Sequence, residues 1–160
     1  MKRMKKTFFC LIFFVISVCA VGAFASCKEG DGNERAKAQI LTNDEKTFVF
    51  TADASASGEM SVYDYLVWFQ ESEVMTFDGS EGDFGFFVTA VNGTYQADDY
   101  STYWSLYTSV TEKDGVIYAT TEYGSYDVNG ATLASASYGV SALPVFAGET
   151  YALVFTESAW

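Results

Sequence analysis

Ser61-Val62-Tyr63-Asp64-Tyr65-Leu66-Val67-Trp68-Phe69-Gln70-Glu71 is the stretch on which the fold turns. Val62, Tyr65, Leu66 and Phe69 fall at i, i+3, i+4 and i+7, the rhythm of one apolar helix face. Ser61 suits an N-cap, and Asp64 three residues later suits the first turn. The spacing predicts a helix over 62–71. Tyr63 and Trp68 widen its apolar stripe, so it should lie well covered on a sheet. It is the one convincing helix in the sequence.

Around it the period is two. Residues 47–51, TFVFT, are β-branched and aromatic, as a short strand requires. Met75-Thr76-Phe77 leads into DGSEGD at 78–83, which reads as a polar turn. Phe84, Phe86, Val88 and Ala90 then alternate with Gly85, Phe87, Thr89 and Val91. Asn92-Gly93 is a strong hairpin signal, because both residues tolerate the positive φ of a type I′ turn. Further strands read at 103–110, at 116–121 after Asp114-Gly115, after Pro144, and at 150–156 after Ala147-Gly148. In the last, Tyr151, Leu153 and Phe155 share a face. One helix among six or seven strands predicts an α+β fold, a mixed sheet with the helix packed on one face.

The N-terminus is of another kind. Lys2, Arg3, Lys5 and Lys6 precede an apolar run from Phe8 to Ala25, followed by small residues. A basic region, an apolar region and a small-residue cleavage zone make a secretory signal; the run is also about the length of a short spanning anchor. Residues 1–26 are therefore expected to be a leader, 27–46 a flexible spacer in which order begins near Ile40 or Phe48, and 47–160 the working domain. Phe24-Ala25-Ser26-Cys27 is close to the lipobox of bacterial lipoproteins, with Phe24 where Leu is usual. That resemblance implies acylation of Cys27 and a lipid tether to the outer face of a membrane. Ordinary secretion after Ala25, leaving a free thiol, is the alternative. Cys10 and Cys19 lie in the leader, so the mature chain holds no internal disulfide.

Removal of the leader takes four of nine basic residues and none of 21 acidic ones, leaving a formal charge of −16. Such a surface repels phosphate backbones and argues against nucleic-acid binding. The chain has no His. Ser-His-Asp and Cys-His triads and His-ligated metal sites are thereby excluded, and no two carboxylates stand at a distinctive spacing. Residues 78–83 lack the register of a calcium hand. The sequence thus points to a protein that is not an enzyme and holds no cofactor or metal.

The order of signals, a strand, a capped helix, GDFGFFVTAVNGTY, YWSLYT and a closing AGETYALVFTE, resembles a bacterial lipoprotein family related to the C-terminal domain of transcobalamin. The likeness spans about residues 47–157 and rests on Gly82-Asp83, Val91-Asn92-Gly93 and Tyr103-Trp104. It implies a β-grasp-like fold and, by extension, a corrinoid as ligand. The sequence departs from the family between Val110 and Ala142, where a long segment replaces a short loop.

Tyrosines are in surplus: Tyr95, Tyr100, Tyr103, Tyr107, Tyr118, Tyr123, Tyr126 and Tyr138, with Trp104, exceed what a core of this size holds. Tyr hydroxyls need partners when buried, so tyrosines in bulk sit half-exposed and suit binding. Tyr95, Tyr100, Tyr103 and Trp104 are the expected ligand-binding group. The function expected is a membrane-tethered extracytoplasmic module for a small planar or amphipathic ligand, a corrinoid among them. The alternative is a cell-surface protein–protein or cell-wall adhesion module.

Overall fold

The helix forms where its cap and stripe place it. In the computed structural model, which describes residues 38–158, α1 spans Val62–Glu71. Ser61 Oγ accepts from the Asp64 N–H at 3.2 Å, while Asp64 Oδ2 accepts from the Ser61 N–H at 2.7 Å. This reciprocal box satisfies two groups that a helix end leaves orphaned. The next amides are taken by the chain that returns beside them: Val62 N–H donates to Leu143 O, and Tyr63 N–H to Val140 O, each at 2.9 Å. Val62, Tyr65, Leu66 and Phe69 are buried, as the stripe requires.

Thirteen strands accompany α1 among the described residues: β1 (Ala38–Asn43), β2 (Thr47–Ala52), β3 (Ser57–Ser61), β4 (Phe77–Gly82), β5 (Gly85–Val91), β6 (Thr94–Tyr95), β7 (Thr102–Thr108), β8 (Glu112–Lys113), β9 (Val116–Ile117), β10 (Ala119–Val128), β11 (Ala131–Ala136), β12 (Pro144–Phe146) and β13 (Thr150–Glu157). The main sheet runs β1-β2-β13-β7-β11-β10. Three satellites flank it: β4-β5-β6, β12-β3 and β8-β9. Among the described residues the protein is mostly β with a single short helix, broadly α+β.

Phe48 and Phe50 of β2, with Tyr151, Leu153 and Phe155 of β13, present one face of the main sheet to α1. Phe50 stacks between Tyr65 and Tyr151, with centroids 5.5 and 5.3 Å away and planes within 12° and 21°. Phe69 closes the group edge-on at 5.1 Å from both Phe48 and Phe50. Removing one such ring costs about 3–5 kcal/mol, so this cluster is the main source of stability.

The opposite face is covered by the chain itself. β10 and β11 form a hairpin that pairs with β7 only at Ala134 and Ser135. Beyond that point Leu133 is fully buried with Val49 of β2 and Ala152 of β13, while Tyr107, Tyr126 and Val128 pack around them. Leu133 shares this cluster with Ala152, two places away in the sheet, so the hairpin curls over this face. A four-residue slip permits the bend: Thr120 pairs with Ser135 and Ser125 with Ala134, leaving 121–124 out of the ladder. Such bulges raise local twist.

Several expectations are corrected. The main sheet is antiparallel at every pairing, not mixed, because α1 does not cross between parallel neighbours but leads into the β4–β6 satellite. Residues 38–43 of the expected spacer are strand, in keeping with order near Ile40: β1 pairs with β2, and Ile40 opposite Phe50 joins the core. Residues 78–82 are strand, not turn, because β5 pairs with them as far as Gly82–Gly85 and the turn contracts to Asp83 and Phe84. At the slip between Asp78 and Gly79 a Cβ on Gly79 would lie 2.1 Å from Phe87 O, so glycine is needed there. The strand at 116–121 breaks at Tyr118, whose N–H turns to Thr111 O at 2.8 Å. The leader, Cys27 and the start of the spacer lie outside the described residues.

Candidate functional site

Beside the helix N-terminus the chain leaves a cleft of about 350 Å³. One wall is β3, from Gly58 to Ser61, with Pro144 of β12 beside it; the other is Val116, Tyr118, Tyr138, Ser141 and Ala142. The β3–β12 ladder slips between Ser57 and Ser61, which gives this wall its bend. Gly58 holds φ +84°, and a Cβ there would lie 2.3 Å from the Phe146 ring. The ring therefore lies directly beneath bare backbone, and the exposed Glu59 follows it along the wall.

The second wall is fastened at both ends. Ala142 and Leu143 N–H both donate to Gly139 O at 3.0 Å, and Ser137 N–H donates to Tyr118 O at 2.8 Å. These bonds set the Tyr118 and Tyr138 rings 5.8 Å apart and tilted by 50°. Tyr118 also meets Phe146 edge-on at 5.5 Å, and Lys113 Nζ stands 4.4 Å over the outer part of this cluster, above Phe146.

The β4–β5 hairpin is fastened to the second wall. Ser141 Oγ accepts from the Phe86 N–H at 2.8 Å and lies where a Gly85 side chain would be, so the β4–β5 hairpin is pinned to the cleft. Phe84, at the tip of that hairpin, is 98% exposed. Val116 and Ile117 of the β8–β9 hairpin, and Tyr138, are exposed as well. Of these exposed groups, Val116 and Tyr138 line the concavity itself.

The expected group is placed differently. Trp104 is only 8% exposed; its Nε1–H donates to Thr94 O at 3.1 Å and its ring packs on Phe155 at 5.3 Å. Tyr103, its neighbour in β7, stands opposite Thr156 on the other face of the sheet. Tyr95 is exposed on β6 and donates to Asp78 Oδ2 at 2.7 Å, a bond that, with the carboxylate's charge, raises the phenol's pKa. Tyr100 is exposed in a turn at φ +58°, where its carbonyl accepts from Ser158 Oγ at 2.8 Å. Trp104 belongs to the core, and Tyr103 and Trp104 face opposite ways, so the four form no single surface.

The surplus tyrosines divide by role. Tyr107 and Tyr126 pack together at 6.0 Å on the hairpin-covered face, and Tyr123 projects from the looped-out segment. Tyr118 and Tyr138 line the cleft. Sequence reasoning missed Glu59, Val116 and Ser141; of these only Val116, apolar and directly after the Asp114-Gly115 turn, carried a signal. No family model, curated protein or solved structure matches this chain.

Proposed function

We propose that the domain is a non-catalytic binding module that takes a small amphipathic ligand in the cleft between β3 and the Tyr118–Tyr138 wall. The observation that carries this reading is the cleft itself, about 350 Å³ and lined by the Tyr118 and Tyr138 rings with the exposed Val116. Its volume is within the range of small-molecule sites. Met60, Val116 and Pro144 suit the ligand's hydrophobic part, and the exposed Glu59 with the tyrosine rings its polar end. In this reading the exported chain is held at the outer face of a membrane by a lipid on Cys27.

A corrinoid is poorly suited, since so broad a ring fits only across the mouth. One wall of the cleft also comes from 116–142, where the sequence departs from the transcobalamin-related family. Adjacency of β2 and β13 beneath one helix supports a β-grasp-like relation; the antiparallel sense of that pair speaks against it. The alternative, a cell-surface protein or cell-wall adhesion module, draws on Phe84, whose near-complete exposure at a hairpin tip suits insertion into a partner.

A small-molecule fragment panel screened by two-dimensional NMR tests the reading. Shifts should gather at Val116, Tyr118, Tyr138 and Ser141 and weaken in Tyr138→Ala. Shifts confined to Tyr95 and Tyr100, or none, sink it.

A further inference from the structure

The chemistry of the cleft narrows the ligand class, an inference that rests on the small-ligand reading above. We infer that the cleft selects a small organic cation, an alkylammonium whose apolar part lies against the apolar lining. Three observations converge. The Tyr118 and Tyr138 rings, tilted 50° at 5.8 Å, both line the cleft, and aromatic faces carry the negative end of a quadrupole that attracts ammonium groups. The chain's own ammonium already uses this chemistry: Lys113 Nζ sits 4.4 Å over Phe146, the next ring of the same cluster.

Charge points the same way. Glu59 lines the cleft, and the two flanking hairpins carry exposed Glu81 and Asp83 on one side and Glu112 and Asp114 on the other. Among the described residues the basic side chains are Lys46 and Lys113. Lys46 lies in the β1–β2 turn, and Lys113 is engaged over Phe146. A phosphate or carboxylate ligand would meet repulsion with little compensation, whereas an ammonium gains from rings and carboxylates together. Met60, Val116 and Pro144 on the lining give a reason for the ligand to carry an apolar portion, which bare metal ions lack.

Choline and its uncharged carbon isostere, 3,3-dimethylbutan-1-ol, form the test, titrated by NMR into the exported protein with its N-terminus as processed by the cell. Choline should bind at least about tenfold more tightly than the isostere, moving Tyr118 and Tyr138 ring signals. Raising salt should weaken choline alone. Glu59→Gln should reduce choline affinity severalfold and leave the isostere unchanged, whereas Glu122→Gln, on β10, should alter neither. Both variants replace exposed side chains and fold normally. Equal binding of both probes in the cleft overturns the cation inference and leaves the small-ligand reading intact. Fragments that bind where choline does not have the same meaning. Failure of choline, isostere and fragments alike overturns both.

Discussion

Ser141 Oγ and the Phe86 N–H meet at 2.8 Å, and this bond joins the β4–β5 hairpin to the loop that walls the cleft. It is the tie through which the position of Phe84 depends on Ser141, fifty-five positions after Phe86. Ser141→Ala removes the acceptor and leaves a partly buried amide unpaired, at a cost of about 1–3 kcal/mol. The Phe84 tip should then move independently of the cleft. Faster amide exchange at Phe86, without loss of exchange protection at Phe48, is the expected result.

The capping box makes a second expectation. Ser61→Ala should lower global stability by about 1 kcal/mol, and Asp64→Ala should do the same. Because the two side chains serve one box, their effects should be less than additive. Denaturant unfolding of the two single variants and the double variant checks this. Additive losses would show that the side chains act separately.

Tyr151 sets an alkaline limit on stability. Burial raises its phenol above the ordinary pKa near 10, while the hydroxyl accepts from Phe146 N–H at 2.9 Å and donates to Pro144 O at 3.0 Å. The folded state therefore keeps a proton that the unfolded state releases above pH 10. Stability from this group is fully present below pH 10 and falls as pH rises beyond it, by about 1.4 kcal/mol per pH unit. Tyr65, also raised by burial, adds in the same sense. Tyr151→Phe should cost about 1–2 kcal/mol at pH 7 and flatten the alkaline slope. An unchanged slope would assign the alkaline loss to other groups.

Leu133 anchors the β10–β11 hairpin. Leu133→Ala should destabilise by about 2–5 kcal/mol and free the distal part of β10–β11 from Val49 and Ala152. Limited proteolysis should then cut near 121–124 sooner than elsewhere. Cleavage no faster than in the parent protein would mean that Tyr126 and Val128 hold the hairpin without it.

The parts of this fold that local patterning governs are readable from residues alone. The 62–71 helix is bounded as its cap and period indicate. Asn92-Gly93, Asp114-Gly115 and Gly148 adopt the positive φ their turns demand. Asn129-Gly130 carries the same signal as Asn92-Gly93, with φ +49° and +81°, and it marks the β10–β11 hairpin. What is not readable is pairing. DGSEGD is polar and glycine-rich, yet it is held as strand by β5, and Ala38–Asn43 is too mixed in character to announce an edge strand. The cleft is harder still. Its walls come from 58–61, 116–118 and 138–144, and only the tertiary fold brings Glu59 near Tyr138. Trp104 illustrates the converse: beside Tyr103 in sequence it reads as surface, yet strand alternation sends it inward.

Tyr118 stands immediately before β10, and Tyr138 follows β11 by two residues, so the cleft's two rings guard the entry and exit of the hairpin that roofs the far side of the sheet. A molecule gripping both rings would act as a clasp at the root of a long arm. Occupancy would then be felt on the opposite surface as slower breathing of that arm, with no change of shape anywhere.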